Sequence, residues 1–239
     1  MNVPDLSLLP EEFVRDLGDN PALAALRWTE EIHPFVFRLP AFDVDACAEL
    51  SMYLDRLRSL SDDVPPPNSM HEAGFALDAV GGSEIVSPWL EAWIRPLAAA
   101  LYPEFRGGEL GRVYGFVTDY GHDADQELGF HVDDAHVTVN LCLEGPSDGA
   151  ELYFRGLRCE LHRQSSTRVS ERFELVHVPG TAILHPGPHR HGVHPILGGR
   201  RRNLILWCKA PEESAGAGGS EPGARRLRCE PWCGLSKQD

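Results

Sequence analysis

His131 and Asp133 stand two residues apart in the stretch FHVDDAHVTVNL, which otherwise reads as a strand. Alternation along a strand places both side chains on one face. An imidazole beside a carboxylate can hold a first-row divalent cation. Downstream, His185, His189, His191 and His194 crowd a short segment, ILHPGPHRHGVHPILGGRRRNLILW. Two histidines and one carboxylate that leave coordination positions open suit a non-haem Fe(II) centre. Alone, each part is weak: most His-x-Asp pairs are surface or structural groups, and a histidine cluster can bind zinc or lie exposed. Arg201 strengthens the set. It opens an otherwise apolar strand, where a buried guanidinium needs an anionic partner. A small dicarboxylate held by its planar fork would supply one.

In order and spacing these residues resemble the prolyl 4-hydroxylase-like branch of the 2-oxoglutarate- and Fe(II)-dependent dioxygenases, and within it the family of 2-oxoglutarate and iron-dependent oxygenase domain-containing protein 2. That family has His-x-Asp, a distal His, and an Arg ten residues beyond it within His-x-x-x-Pro-x-x-x-Gly-x-Arg. Pro195, Gly199 and Arg201 follow His191 at those offsets, which selects His191 over His189 and His194. The stretches PPNSMHEAGFALDAVG, GAELYFRG and the cysteine-bearing tail also look like that family, over roughly residues 33 to 233. The resemblance implies Fe(II) on His131, Asp133 and His191, and 2-oxoglutarate held through Arg201. It also implies O2 as co-substrate and ascorbate as reductant. The reaction would hydroxylate a C–H bond, on a Pro or Lys side chain of a protein or peptide by analogy alone.

The same resemblance implies a double-stranded β-helix whose inner face lines the site. Thr138 and Asn140 would then face the cavity, with Val137, Val139 and Leu141 on the opposite face. Both polar residues are candidates to touch 2-oxoglutarate or its water. Tyr120, eleven residues before His131 at the end of the preceding strand, is another; its alternative is a packed Tyr bonded to backbone. His136 and His177 read as structural, and Asp134 as a turn cap or a partner of a ligand histidine. Arg200 and Arg202 alternate away from Arg201 and read as exposed. A reading from another class, a non-catalytic zinc-binding jelly-roll or an interaction module, gives Arg201 no task.

The elements that must position these residues follow from pattern. Asp43 can N-cap a helix whose Cys47, Leu50, Leu54 and Leu57 form one stripe; it ends before the loop DDVPPPN. A second helical stretch spans roughly 88–102, with Pro96 as a kink or boundary. Short Val-, Phe-, Tyr- and Leu-rich runs then recur at about 112–120, 129–143, 150–155, 173–178, 181–185 and 202–208, separated by turn residues. Helices first and strands after predict an α+β, mainly β architecture with the helices on one face of the sheet. The division expected is a helical segment at 1–32, a dioxygenase domain at 33–210 (helices 43–105, jelly-roll 111–209), and a linker and tail at 211–239. PEESAGAGGSEPGA makes that linker flexible in expectation.

Composition bounds the partners. The 239 residues, 42% hydrophobic, can bury a sizeable core, and the formal net charge of −14 disfavours nucleic acid or an anionic membrane as main partner. The start MNVPDLSLLPEEF lacks a basic, apolar leader pattern, and the apolar run 89–102 is interrupted by Glu91, Arg95 and Pro96, so a cytoplasmic location is expected. The six cysteines are scattered and suggest no disulfide framework. Cys229 and Cys233 form half of a zinc site at most; Cys159 or Cys208 would have to complete it, and free thiols or a lid-like segment is the expected alternative.

Overall fold

A computed structural model describes residues 9–146, 148–212 and 228–236. In chain order the elements are α1 (Glu11–Asp19), α2 (Pro21–Trp28), β1 (Glu30–His33), β2 (Val36–Pro40), α3 (Val44–Ser59), β3 (Phe75–Ala76), α4 (Ser83–Trp89) and α5 (Arg95–Leu101). The strand-rich half follows: β4 (Arg112–Tyr120), β5 (Leu128–His131), β6 (Val137–Glu144), β7 (Asp148–Gly149), β8 (Leu152–Leu157), β9 (Arg172–Leu175), β10 (Thr181–Pro186), β11 (His189–Val193), β12 (Ile196–Gly198) and β13 (Arg201–Lys209). A π-turn at Leu90–Ile94 joins α4 to α5. Pro96 sits in the first turn of α5, where its missing N–H is least costly.

The strands form a double-stranded β-helix. The major sheet runs β1-β2-β10-β6-β13-β4-β3, the minor sheet β5-β11-β8-β9, and β12 pairs with β7 in a short ribbon. All these strand pairs are antiparallel. The helices cover the outer face of the major sheet. α3 is capped as expected, the Asp43 carboxylate accepting from Ala46 N–H at 2.7 Å, and buries Cys47, Leu50 and Leu54. Alternation in β6 sends Val137, Val139 and Leu141 into this helical core. Its other face, with Thr138 and Asn140, turns toward the minor sheet and lines a cavity. Fold class and helix placement therefore follow the pattern of apolar residues.

Several local expectations change. The run 129–143 is not one strand: β5 ends at His131 and β6 starts at Val137. The chain crosses between sheets here, so Asp133 lies in a loop and not on a strand face shared with His131. The segment ahead of residue 33 is not wholly helical, because β1 pairs with β2 and extends the major sheet. α1 and α2 bury Phe13, Leu17, Ala24 and Ala25 in the same core as α3. Arg202 is buried, not exposed: α3 lies over that face of β13. Arg202 donates to Asp55 at 2.7 Å, Ser51 at 3.0 Å and Asp119 at 2.7 Å. Alternation gave its side of the strand correctly but could not show what covers that side. The linker expected at 211–224 falls, from residue 213 onward, outside the described residues. Among the described residues no helix is long and apolar enough to cross a membrane.

Candidate active site

β5 and β11 are neighbours in the minor sheet, and their register pairs His131 with His191. Each ring is oriented by its own backbone: His131 Nδ1 lies 2.8 Å from the Gly129 carbonyl oxygen, and His191 Nδ1 lies 2.8 Å from that of His189. A carbonyl only accepts, so each Nδ1 carries the proton and each Nε2 keeps its lone pair. Asp133 comes from the crossing loop. Its N–H donates to Gly187 O at 3.0 Å, and Gly187 N–H donates to His136 O at 3.1 Å. This places the β10–β11 turn hard against the loop: a Cβ on Gly187 would lie 1.9 Å from the Ala135 carbonyl oxygen. Glycine is therefore required there by close approach.

The result is a cluster of three ligating groups. His131 Nε2 is 3.4 Å from Asp133 Oδ1, and His191 Nε2 is 3.6 Å from Asp133 Oδ2. The three donor atoms all lie within 4.8 Å of one another. Thr138 Oγ1 donates to Asp133 Oδ2 at 2.6 Å and orients the carboxylate. Burial tends to raise the Asp133 pKa, but His191, His131 and His185 around it outweigh burial and hold it below the ordinary value. Burial pushes His191 down to about 3 against the pull of Asp133, so its ring is neutral. For His131, burial is opposed and overcome by Asp133, and the pKa rises. Two neutral-capable imidazoles and an ionised carboxylate on one side of a cavity fit a divalent ion that must keep open positions. His189 is not part of the cluster: it packs against Phe154 and His33. His194 is drawn off to Glu174 at 3.3 Å.

Arg201 lines the same cavity and is only 1% exposed. Its Nε donates to Asn203 Oδ1 at 2.8 Å and its Nη1 to the Ala150 carbonyl at 2.7 Å; Nη2 lies 3.5 Å from His177 Nδ1. Tyr120, its partner across β4 and β13, presents its ring 5.5 Å from the guanidinium carbon, a cation–π distance. Among the described residues no carboxylate lies within ion-pair distance of Arg201. A buried guanidinium surrounded by neutral acceptors would be balanced by an anion. Asn140 reaches it indirectly, its Oδ1 accepting from Asn203 Nδ2 at 2.6 Å.

The cavity thus gathers the seven residues expected to hold metal or 2-oxoglutarate: His131, Asp133, His191, Arg201, Tyr120, Asn140 and Thr138. Thr138 hydrogen-bonds the carboxylate of Asp133. Asp134 does not cap a turn in the manner expected; it is exposed and pairs with Lys209 Nζ at 2.6 Å. Sequence reading missed Asn203, although it stands two residues after Arg201 and so shares its face. Spacing gives His185, one of the four clustered histidines, no role of its own; its Nε2 has no hydrogen-bond partner among the described residues and lies 3.8 Å from Asp133 Oδ2. The cavity lining also includes the apolar and aromatic Met70, Phe116, Ile205 and Trp207. Two loops meet there through Asp125, which holds His71 Nδ1 at 2.9 Å and accepts from Glu72 N–H at 3.0 Å. This knot had no signature in the sequence, because its partners are 54 residues apart.

His177, read as structural, turns out to brace the arginine. Its Nε2–H donates to the Thr181 carbonyl at 3.0 Å, so Nδ1 accepts from Asn203 Nδ2 at 3.2 Å. Burial and the Arg201 cation push its pKa down to about 3. The folded value lies below the unfolded one, near 6.5. The unfolded chain therefore takes up the proton first, and this contribution to stability is present above pH ~6.5 and lost as pH falls toward 3. Between pH 7 and 5.5 the wild type is expected to lose about 1 kcal/mol more than His177→Gln, measured as urea midpoints in metal-free buffer. Equal pH slopes for the two proteins would refute this account of His177.

With the geometry defined, the class follows: two antiparallel sheets enclosing a two-histidine, one-carboxylate cluster and a buried arginine are the fold of the 2-oxoglutarate- and Fe(II)-dependent oxygenases. The crystal structure of a Pseudomonas putida prolyl-4-hydroxylase superposes with a TM-score of 0.50 at 14% identity, covering 84% of this chain and 98% of that one. More particularly, residues 3–107 match the OGFOD2-like domain model, and the chain is similar to the 2-oxoglutarate and iron-dependent oxygenase domain-containing proteins. It is 39% identical over 184 residues to ICU11 of Arabidopsis thaliana (75% of this chain, 46% of that protein). It is 35% identical over 176 residues to oxygenase domain-containing protein 2 of Homo sapiens (73% and 49%). The chain spans about half the length of the curated relatives it matches. The match to the domain model ends before β4, so the cluster and Arg201 stand on the geometry above.

Proposed function

We propose that the protein is an Fe(II)- and 2-oxoglutarate-dependent dioxygenase, with the metal on His131, Asp133 and His191 and the far carboxylate of 2-oxoglutarate on Arg201. The single observation that carries this reading is a buried arginine without a carboxylate partner among the described residues, in the same cavity as the three ligating groups. A metal-binding jelly-roll without catalysis would have no counter-charge for that arginine. When bound, the ferrous ion and 2-oxoglutarate supply the oxidising chemistry: O2 is consumed, 2-oxoglutarate becomes succinate and CO2, and a substrate C–H bond becomes C–OH, with ascorbate keeping the iron reduced.

The chain's own residues bind, orient and exclude. The backbone carbonyls of Gly129 and His189 fix the tautomers of the two imidazoles. Thr138 fixes the carboxylate. Tyr120 and Asn203 hold the guanidinium in place, and Asn140 and His177 hold Asn203. The loops knotted at Asp125 bring His71 to the cavity lining, and the apolar residues there would desolvate a small aliphatic target. That lining, the family likeness, and the similarity in fold to a prolyl hydroxylase support a Pro or Lys side chain of a protein or peptide as substrate. Fe(II) added anaerobically to the metal-free protein with 2-oxoglutarate is expected to give a weak visible charge-transfer band. Its absence, with Zn(II) retained tightly at the histidine–carboxylate cluster, would refute the dioxygenase reading.

A further inference from the structure

Far along the chain from the cavity residues, the sequence leaves Cys229 and Cys233 unassigned. In the fold, the tail residues 228–236 return to the end of β8. Gly234 N–H donates to the Leu157 carbonyl at 3.0 Å, Arg168 Nη1 donates to the Gly234 carbonyl at 3.2 Å, and Trp232 packs on Phe105 with ring centroids 5.0 Å apart. This brings the two tail cysteines against a short turn that follows β8, Glu160–His162, flanked by Cys159. The donor atoms of Cys159, His162, Cys229 and Cys233 all lie within 4.8 Å of one another. His162 Nδ1 is 3.5 Å from Cys159 Sγ, 3.4 Å from Cys229 Sγ and 3.6 Å from Cys233 Sγ.

These distances match a specific solid. With Zn–S of ~2.3 Å and Zn–N of ~2.0 Å, a regular tetrahedron has nitrogen–sulfur edges of about 3.5 Å. All three observed edges fall within about 0.1 Å of that figure. We propose that Cys159, His162, Cys229 and Cys233 form a closed structural Zn(II) site that fastens the tail to the end of β8.

The donor chemistry selects the metal. Three thiolates and one imidazole are a soft, tetrahedral set that favours zinc. Four protein ligands leave no open position, so the site is structural, unlike the three-ligand cluster in the cavity. The half-site that the spacing of Cys229 and Cys233 suggests is completed by Cys159 and by His162, which no spacing rule points to. Cys208 lies elsewhere, buried in the core under the helices. The cysteines are all free thiols. The turn that carries Cys159 and His162 is itself braced: Arg158, fully buried, forks onto Glu171 at 2.6 and 2.7 Å. The zinc ion would therefore link the tail, the loop after β8 and, through Trp232, the helical layer.

The test is metal content of the full chain, purified without added metal and passed over a weak chelating resin. About one zinc per chain is expected in the wild type and in Asp133→Ala, and its loss in Cys229→Ser and Cys233→Ser. Cobalt replacement keeps the result readable if those variants fail to fold. Co(II) at this site in the wild type should show an intense thiolate-to-metal band in the near ultraviolet together with tetrahedral visible bands. The cavity cluster, having no sulfur, cannot produce the thiolate band. Retention of zinc in Asp133→Ala also separates this site from the proposed iron centre, so either can fail alone. Two results would overturn the proposal: wild-type protein without zinc that also gives no thiolate–cobalt band, or a disulfide between Cys229 and Cys233 in protein purified under nitrogen.

Discussion

Arg201→Ala is expected to raise the 2-oxoglutarate concentration for half-saturation by about 10²- to 10³-fold. Two charge-assisted hydrogen bonds from a guanidinium fork to a carboxylate are worth ~1.5–3 kcal/mol each, and ~1.4 kcal/mol is tenfold in affinity. The guanidinium is already aimed: Asn203 holds its Nε, the Ala150 carbonyl holds its Nη1, and the Tyr120 ring lies 5.5 Å from its carbon. Arg201→Lys keeps the charge but not the planar fork, so an intermediate loss is expected. Arg201→Met relieves the desolvation of a buried cation but leaves the Asn203 and Ala150 acceptors unpaired, so melting without ligand, followed in parallel, separates a loss of folding from a loss of binding. Isothermal titration with 2-oxoglutarate in the presence of a redox-inert divalent metal measures the Ala and Lys variants. Affinity within twofold of wild type would show that the dicarboxylate binds elsewhere.

Asp133→Ala is expected to abolish the anaerobic Fe(II)–2-oxoglutarate band and to reduce succinate formation by on the order of 10³-fold or more. Loss of a group that only supports a ligand typically costs ~10–100-fold, and Asp133 is the sole carboxylate among the three ligating groups. Its removal leaves two imidazoles and no negative charge to offset the cation. The neighbouring carboxylate is the internal control. Asp134 is exposed and pairs with Lys209 at the surface, so Asp134→Ala should stay within about twofold of wild type, as surface pairs contribute little. Succinate can be followed with no knowledge of the target, through the slow turnover of 2-oxoglutarate without substrate. An Asp133→Ala protein retaining a tenth of wild-type turnover would remove Asp133 from the metal site.

The three ligating groups come together for a reason only partly visible in the chain. Sequence spacing put His131 and Asp133 on one strand face; in the fold they converge because the strand stops after His131 and Asp133 enters a crossing loop. His131, Asp133 and His191 stand together in the fold, but not through the shared strand face that spacing suggests. The crossing is fixed by Gly187, 54 positions beyond Asp133, whose turn presses on Ala135. No local pattern near residue 133 carries that information.

What the sequence by itself determined is whatever depends on order and alternation. The split into helices then strands, the apolar stripe of α3, the inward face of β6 and the offsets from His191 to Arg201 are all properties of neighbours along the chain. Their physical basis is the repeat of the backbone, 3.6 residues per turn in a helix and two in a strand. Only the tertiary structure decided what lies across from those faces. It placed α3 over Arg202, making a buried network of a residue that alternation could only turn away. It set Asn203 and His177 behind Arg201, and it left that arginine without a carboxylate partner among the described residues. It also brought His162 to Cys159, Cys229 and Cys233, across 67 to 71 residues on the tail side. Such partners are chosen by packing, which minimises exposed apolar surface over the whole chain at once, and leaves no periodic trace in the segments it joins.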